Sequence, residues 1–173
     1  RNQYAQGATM MHLVSGLEWL AEQEVSVINM SLTGPDNRIL ATAVERITAA
    51  GTAVVAAAGN DGPAASPLYP AAYPGVIAST AVDAGRQVYR WANRGEHIDF
   101  AGPGVSVLTT RGNGEFGHES GTSMAAPTVT AHVACALANQ RASNKEVVQY
   151  LAGQAEDLGE KGRDPIFGHG LLE

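Results

Sequence analysis

The stretch HESGTSMAAPTVTAHVACAL, from His118 to Leu137, places a serine inside Gly-Thr-Ser at the start of a long uncharged segment. The sixteen residues from Thr122 include no Lys, Arg, Asp or Glu, and most of them are small. This composition predicts a buried helix. Ser123 is then expected at the amino end of the helix, beside unpaired N–H groups and the positive end of the helix dipole. Negative charge that develops on an acyl group attached to Ser123 would be stabilised there.

The residues around Ser123 fit a helix that passes through a crowded core. Gly121 permits close approach of another backbone, and Ala125 and Ala126 present little bulk. Pro127 is expected within the first turn of the helix, where the N–H that proline lacks has no partner in the helix. Cys135 lies further along the same segment, and we expect it to be a small buried hydrophobic residue.

Outward from this stretch, segments with helical spacing alternate with short apolar runs of strand length. A capping box, Ser143 and Glu146, predicts the start of the last helix. The helical spacing of Met10, Val14, Leu17 and Ala21 indicates a first helix. The spacing of Leu40, Val44 and Ile47 indicates a second helix, and Gly51 is expected to end it in a left-handed backbone conformation. The expected strands are VSVINMSL, AVVAAA, VIASTAV, HIDFAG and VSVLTT.

Strands of near-continuous apolar character, separated by helices, are typical of a parallel sheet covered by helices on both faces. The predicted fold class is therefore α/β. The chain contains no repeat, linker or low-complexity tract, so we expect residues 1–173 to belong to one domain.

Composition excludes several classes of protein. The 173 residues are 45% hydrophobic and 16% charged, which favours one well-buried globular domain over disorder or a coiled coil. A net charge of −6 without a basic cluster argues against nucleic acid or an anionic membrane surface as partner. No apolar run is as long as a membrane span. No signal peptide is recognisable in residues 1–9, so the compartment cannot be read from them.

Polar segments follow two of the predicted strands and precede the buried helix. They are SLTGP after the first strand, GNDGP after the second, and GTS. Reactive groups of parallel α/β proteins collect where strand carboxyl ends meet helix amino ends. Each segment taken singly also has a plain explanation as a turn or as a helix cap.

Taken in order, VINMSLTGP, VVAAAGNDGP, YPAAYPGVIA, FAGPGVSV and SGTSMAAP resemble the motifs of the subtilisin-like serine peptidases. The resemblance runs from about Gly7 to Leu171 and is most specific in SGTSMAAP. It implies that the chain is the carboxyl-terminal part of a subtilisin-like peptidase domain that hydrolyses polypeptides. The resemblance further implies a secreted or periplasmic protein.

The same resemblance assigns roles to individual residues. It makes Ser123 the nucleophile, and it makes the side-chain amide of Asn60 and the N–H of Ser123 the donors to the oxyanion. The backbone of Ser31, Leu32 and Thr33 would pair with the substrate as an added strand. The main specificity pocket would lie between that segment and Ala57, Ala58 and Gly59, with Leu68 as its floor.

The motifs that carry the triad aspartate and histidine in the family, an Asp-Ser/Thr/His-Gly turn and a His-Gly-Thr helix start, are absent from the sequence. The five histidines, His12, His97, His118, His132 and His169, are expected in other roles. His118 is placed in a loop, and turn or cation-site roles are expected for Asp61, Asp83 and Asp99.

The early strands and the two triad residues are therefore expected outside this chain. It would then be a piece of a peptidase, or one of two associated chains of a nicked peptidase whose amino-terminal fragment carries Asp and His. The alternative is a noncatalytic peptide-binding module derived from the family.

No cofactor is required for acyl transfer through serine. The family resemblance allows a weak site for calcium or another cation, formed by the carbonyls of Ala71, Tyr73 and Val76 with the carboxylate of Asp99. We favour a plain structural role for these four residues over a cation site. Tyr69-Pro70 resembles a turn in which the family has a cis proline.

Two other functions fit the sequence less well. The G-x-S-x-G elbow of α/β-hydrolases would require glycine where Ala125 stands. A dinucleotide loop would require a third glycine after Gly59-Asn60-Asp61-Gly62.

Overall fold

The computed structural model describes residues 9–112, 114–140 and 143–173. Within these residues, helices and strands alternate only as far as the second strand, after which four further strands follow with no helix between them, unlike the predicted alternation. In chain order they are α1 (Met10–Glu22), β1 (Val27–Met30), α2 (Arg38–Ala49), β2 (Ala53–Ala57), β3 (Val76–Val82), β4 (Ile98–Pro103), β5 (Val107–Thr110), β6 (Phe116–Glu119), α3 (Thr122–Gln140) and α4 (Asn144–Ala152).

The central sheet has the order β1-β2-β3-β4, and every neighbouring pair is parallel. β5 pairs antiparallel with β6 in a separate hairpin, and β6 was not predicted. The sequence of β5 gave no reason to separate it from the sheet strands. Its alternating half-buried and exposed residues are typical of a hairpin with one face in solvent.

Helices cover both faces of the sheet, as predicted. Along β2, Val54 and Ala56 point to the core beneath α1 and α2, whereas Ala53 and Val55 point to the core beneath α3 and α4. Successive side chains of a strand alternate between the two faces, so a strand that is apolar at every position can be buried on both. The fold class α/β is confirmed.

The ends of the predicted helices agree with the sequence signals. The side chain of Asn37 accepts hydrogen bonds from two N–H groups at the start of α2, and Gly51 follows the end of α2 with φ +101°. The capping box of Ser143 and Glu146 is present at the start of α4. Within the described residues, no helix combines the length and the apolarity needed to cross a membrane.

Two predictions about α3 are wrong. Pro127 is the sixth residue of α3 and lies beyond the first turn, because the helix begins at Thr122. Cys135 is exposed rather than buried. The buried positions of α3 include Val129, Val133 and Ala136, and Cys135 lies off this helical stripe.

Candidate active site

Three polar segments meet at the carboxyl ends of β1 and β2. Ser31 directly follows β1, Asn60 follows β2 after Ala58 and Gly59, and Ser123 is the second residue of α3. Parallel packing of β1 against β2, with α3 against both strands, brings these segments to one edge of the sheet. The expected juxtaposition of SLTGP, GNDGP and GTS therefore occurs.

Ser123 and Ser31 are joined by two hydrogen bonds. The Ser31 Oγ donates to the carbonyl of Ser123 at 2.9 Å, and the Ser123 Oγ lies 3.3 Å from the carbonyl of Ser31. Asn29 donates its Nδ2 to the Ser31 Oγ at 3.0 Å. The Ser123 side chain is half-buried, and its N–H is among the first four of α3, which have no partner within the helix.

The amide of Asn60 is oriented by Thr122. Its Oδ1 accepts the Thr122 N–H at 2.9 Å and lies 3.2 Å from the Thr122 hydroxyl oxygen. The fully buried Thr122 hydroxyl oxygen also accepts the Gly59 N–H at 3.0 Å. With Oδ1 held by the residue next to Ser123, the Nδ2 end is the part of the amide left for another acceptor.

Two glycines allow these close contacts. Gly59 has φ +113°, and a Cβ there would lie 2.6 Å from the Leu68 Cδ1. Gly121 has φ +153°, and a Cβ there would lie 3.2 Å from the Asn60 Nδ2. A side chain at either position would strain the backbone and displace a residue of the candidate site.

The segment predicted to pair with a peptide lies open beside Ser123. Leu32 and Thr33 are exposed, and their backbone groups form no hydrogen bond with any other described residue. Gly34, which directly follows Thr33, exchanges two backbone hydrogen bonds of 2.9 Å with Tyr69. The predicted substrate segment is thereby held against the Leu68–Tyr69 segment.

Some of the residues predicted to line the specificity pocket are close together in the structure. The side chain of half-buried Leu68 packs against Gly59, and Ala57 and Ala58 are fully buried at the end of β2. A connection from Leu68 to Ser31–Thr33 runs through the Gly34–Tyr69 pairing.

Asn93 was missed by the sequence analysis. It is fully buried beneath the Asn60 loop, where its side chain contacts Asp61 and Ser66. It lies in YRWANRG, a segment whose composition is ordinary for a turn. Only its hydrogen bonds with Gly59, Asp61 and Ser66, which are distant in the sequence, distinguish Asn93 from an ordinary turn residue.

The carboxylate of Asp99 already has two partners. Its Oδ2 accepts the Ala78 N–H at 2.9 Å, and its Oδ1 lies 3.4 Å from the Arg163 Nη2. Burial raises the pKa of Asp99, while the Ala78 N–H and the Arg163 guanidinium act in the opposite direction. Arg163 thus supplies a positive charge at this carboxylate.

The carbonyl-bearing residues of the predicted cation site, Ala71, Tyr73 and Val76, are buried. Among the described residues, no group of three or more His, Cys, Asp or Glu could hold a metal ion. The Tyr69–Pro70 bond is cis, in agreement with what the family resemblance implied.

The histidines are distributed over the fold, and in the described structure none forms a hydrogen bond with Ser123. His118 is on strand β6 and not in a loop, which corrects the prediction. Burial lowers the pKa of His97 and of His169, and the charge of Arg163 lowers both further. His12 is exposed on α1, and His132 is half-buried on α3.

The family model of the Subtilase family matches residues 3–170, which is nearly the whole chain. The chain belongs to this family. This subtilase chain is 36% identical to subtilisin E of Bacillus subtilis over 165 residues, which is 92% of the chain and 42% of that protein. It is 34% identical to the minor extracellular protease Epr of the same organism, with 95% and 26% coverage. The major intracellular serine protease of that organism is 38% identical over 83% of the chain and 46% of its own length.

A solved structure of fervidolysin from Fervidobacterium pennivorans, a keratinolytic enzyme related to subtilisin, superposes with a TM-score of 0.84 at 28% identity. The match includes 94% of the subtilase chain and 28% of the fervidolysin chain. The chain thus spans about a quarter to a half of the length of these relatives. Their names include an extracellular and an intracellular protease.

Proposed function

We propose that the protein containing this chain is a serine endopeptidase, with Ser123 as nucleophile and Asn60 as an oxyanion donor. The observation that carries the proposal is the orientation of Asn60. Because Thr122 holds the Oδ1 of Asn60, the Nδ2 end remains for the oxygen of an acyl group on Ser123. The Ser123 N–H at the start of α3 would be the second donor.

In this proposal a peptide binds as an added strand along Ser31–Thr33. The Ser123 Oγ attacks the scissile carbonyl carbon, and the hydroxyl proton passes to a general base and then to the leaving amine. The negative oxygen of the tetrahedral intermediate accepts hydrogen bonds from the Asn60 Nδ2 and the Ser123 N–H. Water then hydrolyses the acyl-enzyme and regenerates the Ser123 hydroxyl.

The base, and the aspartate that orients it, would come from polypeptide outside residues 1–173. Three observations support this part of the proposal. The sequence lacks both triad motifs, and β1 is an edge strand of the described sheet. A cavity of about 380 Å³ opens beside that edge and is lined by Leu13, Trp19 and Ile28, among others. An upstream segment or an associated amino-terminal fragment would cover the exposed apolar surface here, such as the side chain of Trp19.

Labelling with a fluorophosphonate, together with hydrolysis of a peptide ester, tests the proposal on the full-length protein. Ser123→Ala is expected to abolish both labelling and turnover. Ser120→Ala is a matched control, since Ser120 is an exposed serine three residues before Ser123 and its Oγ accepts the Ser106 N–H, away from Ser123. Equal labelling of the wild type and the Ser123→Ala variant would refute the assignment of the nucleophile.

A noncatalytic peptide-binding module is the second candidate. It is favoured by the unpaired backbone of Leu32 and Thr33 together with the absence of a hydrogen bond from any described histidine to Ser123. Peptide binding by the full-length protein, with neither labelling nor turnover, would select this function.

A further inference from the structure

Asn93 forms hydrogen bonds on both sides of Asn60. The Asn93 N–H donates to the carbonyl of Gly59 at 3.0 Å, and the Asn93 Oδ1 accepts the N–H of Asp61 at 2.8 Å. Gly59 and Asp61 are the two chain neighbours of Asn60. The backbone before and after the proposed oxyanion donor is therefore tied to a single residue.

The same side chain also holds the loop that leads to Leu68. The Asn93 Nδ2 donates to the carbonyl of Ser66 at 3.1 Å. Through its Oδ1 and Nδ2, the amide connects the start and the end of the loop over residues 61–66. Asn93 is 0% exposed, and removing its side chain would leave the Asp61 N–H and the Ser66 carbonyl without these protein partners.

Asn93 and Leu68 both pack closely against Gly59. A Cβ built on Gly59 would lie 3.1 Å from the Asn93 Oδ1 and 2.6 Å from the Leu68 Cδ1. Gly59, Leu68 and Asn93 are therefore in close contact. Movement of the Asn60 loop away from Asn93 would break the Asp61 and Ser66 hydrogen bonds.

We infer that Asn93 is a positioning residue for the oxyanion donor, acting through the backbone on either side of Asn60. The inference rests on the proposed peptidase function and deepens it. A donor stabilises a transition state only if it is held in place before charge develops, because reorganisation during the reaction offsets the gain. Thr122 orients the Asn60 amide, and Asn93 fixes the backbone from which that amide projects.

Asn93→Ala in the full-length protein is expected to lower kcat by at least about tenfold, because a misplaced donor loses much of its effect. KM is expected to change less than about threefold, since the donor meets its oxygen only in the transition state. In the Asn60→Ala background, Asn93→Ala should lower kcat no further, because its target is already absent. An unchanged kcat, or a loss of equal size in both backgrounds, would overturn the inference.

Asn37→Ala is the matched control. The Asn37 Oδ1 likewise accepts two backbone N–H groups, those of Ile39 and Leu40, but it does so at the start of α2. Asn37→Ala should lower the Tm and leave kcat unchanged at a temperature where the protein is folded. If Asn93→Ala does not fold, Asn93→Asp retains an acceptor for the Asp61 N–H and replaces only the donor to Ser66. For Asn93→Asp a smaller kcat loss is expected, again absent in the Asn60→Ala background, and an additive loss would overturn the inference.

Hydrogen exchange separates failure of this inference from failure of the proposed function. Asn93→Ala should reduce protection of the Asp61 amide by about tenfold or more, because the loop then opens locally. Asn37→Ala should leave that amide unchanged. A full-length wild type without turnover refutes the proposed function, and retained Asp61 protection in Asn93→Ala refutes the positioning role.

Discussion

The Ser31 hydroxyl donates to the carbonyl of Ser123 at 2.9 Å, in the place of a hydrogen bond that α3 itself cannot form. An ordinary residue at position 127 would donate its N–H to the carbonyl of Ser123, four residues earlier. Pro127 has no N–H, so that carbonyl is free to accept the Ser31 hydroxyl. The end of β1 is thereby joined to the start of the helix that carries the proposed nucleophile.

Ser31→Ala is expected to destabilise the protein by about 1 kcal/mol or somewhat more, because the half-buried Ser123 carbonyl loses its partner. In the Ser31→Ala background, Pro127→Ala should recover part of this loss by supplying an N–H to the same carbonyl. The test is a double-mutant cycle in the free energy of unfolding, measured with denaturant. Strictly additive effects would show that the Ser31 hydroxyl does not replace the helix bond.

Asn60→Ala in the full-length protein is expected to lower kcat by about a hundredfold or more, with KM nearly unchanged. The amide would meet the substrate oxygen only when that oxygen carries negative charge. Steady-state kinetics on a peptide substrate check this expectation, with Asn37→Ala as the control. A change confined to KM would identify Asn60 as a turn residue or a ground-state contact.

The chain of residues 1–173 alone is expected to show no practical peptidase activity. Without a base, Ser123 remains a poorly activated alcohol, and any residual rate depends on the oxyanion donors and on binding. Adding a fragment that carries the Asp and His motifs should restore turnover. Robust ester hydrolysis by the isolated chain, abolished by Ser123→Ala, would require one of its own histidines as base.

The full-length protein is expected to prefer Ala, Val or Leu before the scissile bond over Phe, and strongly over Lys or Arg. Leu68 would fill part of the pocket, and a buried basic side chain would lack an acidic partner at the proposed floor. Leu68→Gly should shift the preference towards Phe. A peptide library checks this, with Leu108→Gly in the exposed hairpin as the control. Phe or Arg as the best residue of the wild type would refute the placement of Leu68.

Acid is expected to destabilise the folded chain partly through His169. Burial lowers the pKa of His169 below its ordinary value of 6.5, the charge of Arg163 lowers it further, and Asp99 opposes both. The unfolded chain then binds the proton more readily, so stability rises with pH up to about 6.5 and falls as the pH drops below that value. His169→Gln should reduce the loss of unfolding free energy between about pH 7.5 and pH 5. An equal loss in the variant would contradict this role of His169.

Local sequence patterns were sufficient to predict the parallel sheet. Uniformly apolar strands such as β2 are stable only when both faces are covered, and the helices on either side have apolar stripes that match. The start of α3 agrees with the sequence, but five residues of the helix precede Pro127, which puts the proline beyond the first turn. Cys135 was misplaced because the uncharged segment did not show which of its faces meets the sheet. The strand β6 was missed because its residues Phe116–Glu119 are mostly exposed, so burial left little pattern in them.

The sequence by itself determined the fold class and the family, and it identified Ser123 and Asn60 as candidates, because short motifs carry the backbone geometry those residues need. Only the tertiary structure decided which atoms meet. The Ser31–Ser123 hydrogen bonds, the orientation of Asn60 by Thr122 and the contacts of Asn93 join residues 27 to 92 positions apart. Such contacts arise because β1, β2 and β3 pair and α3 packs against these strands. The local composition of the sequence does not predict such long-range contacts.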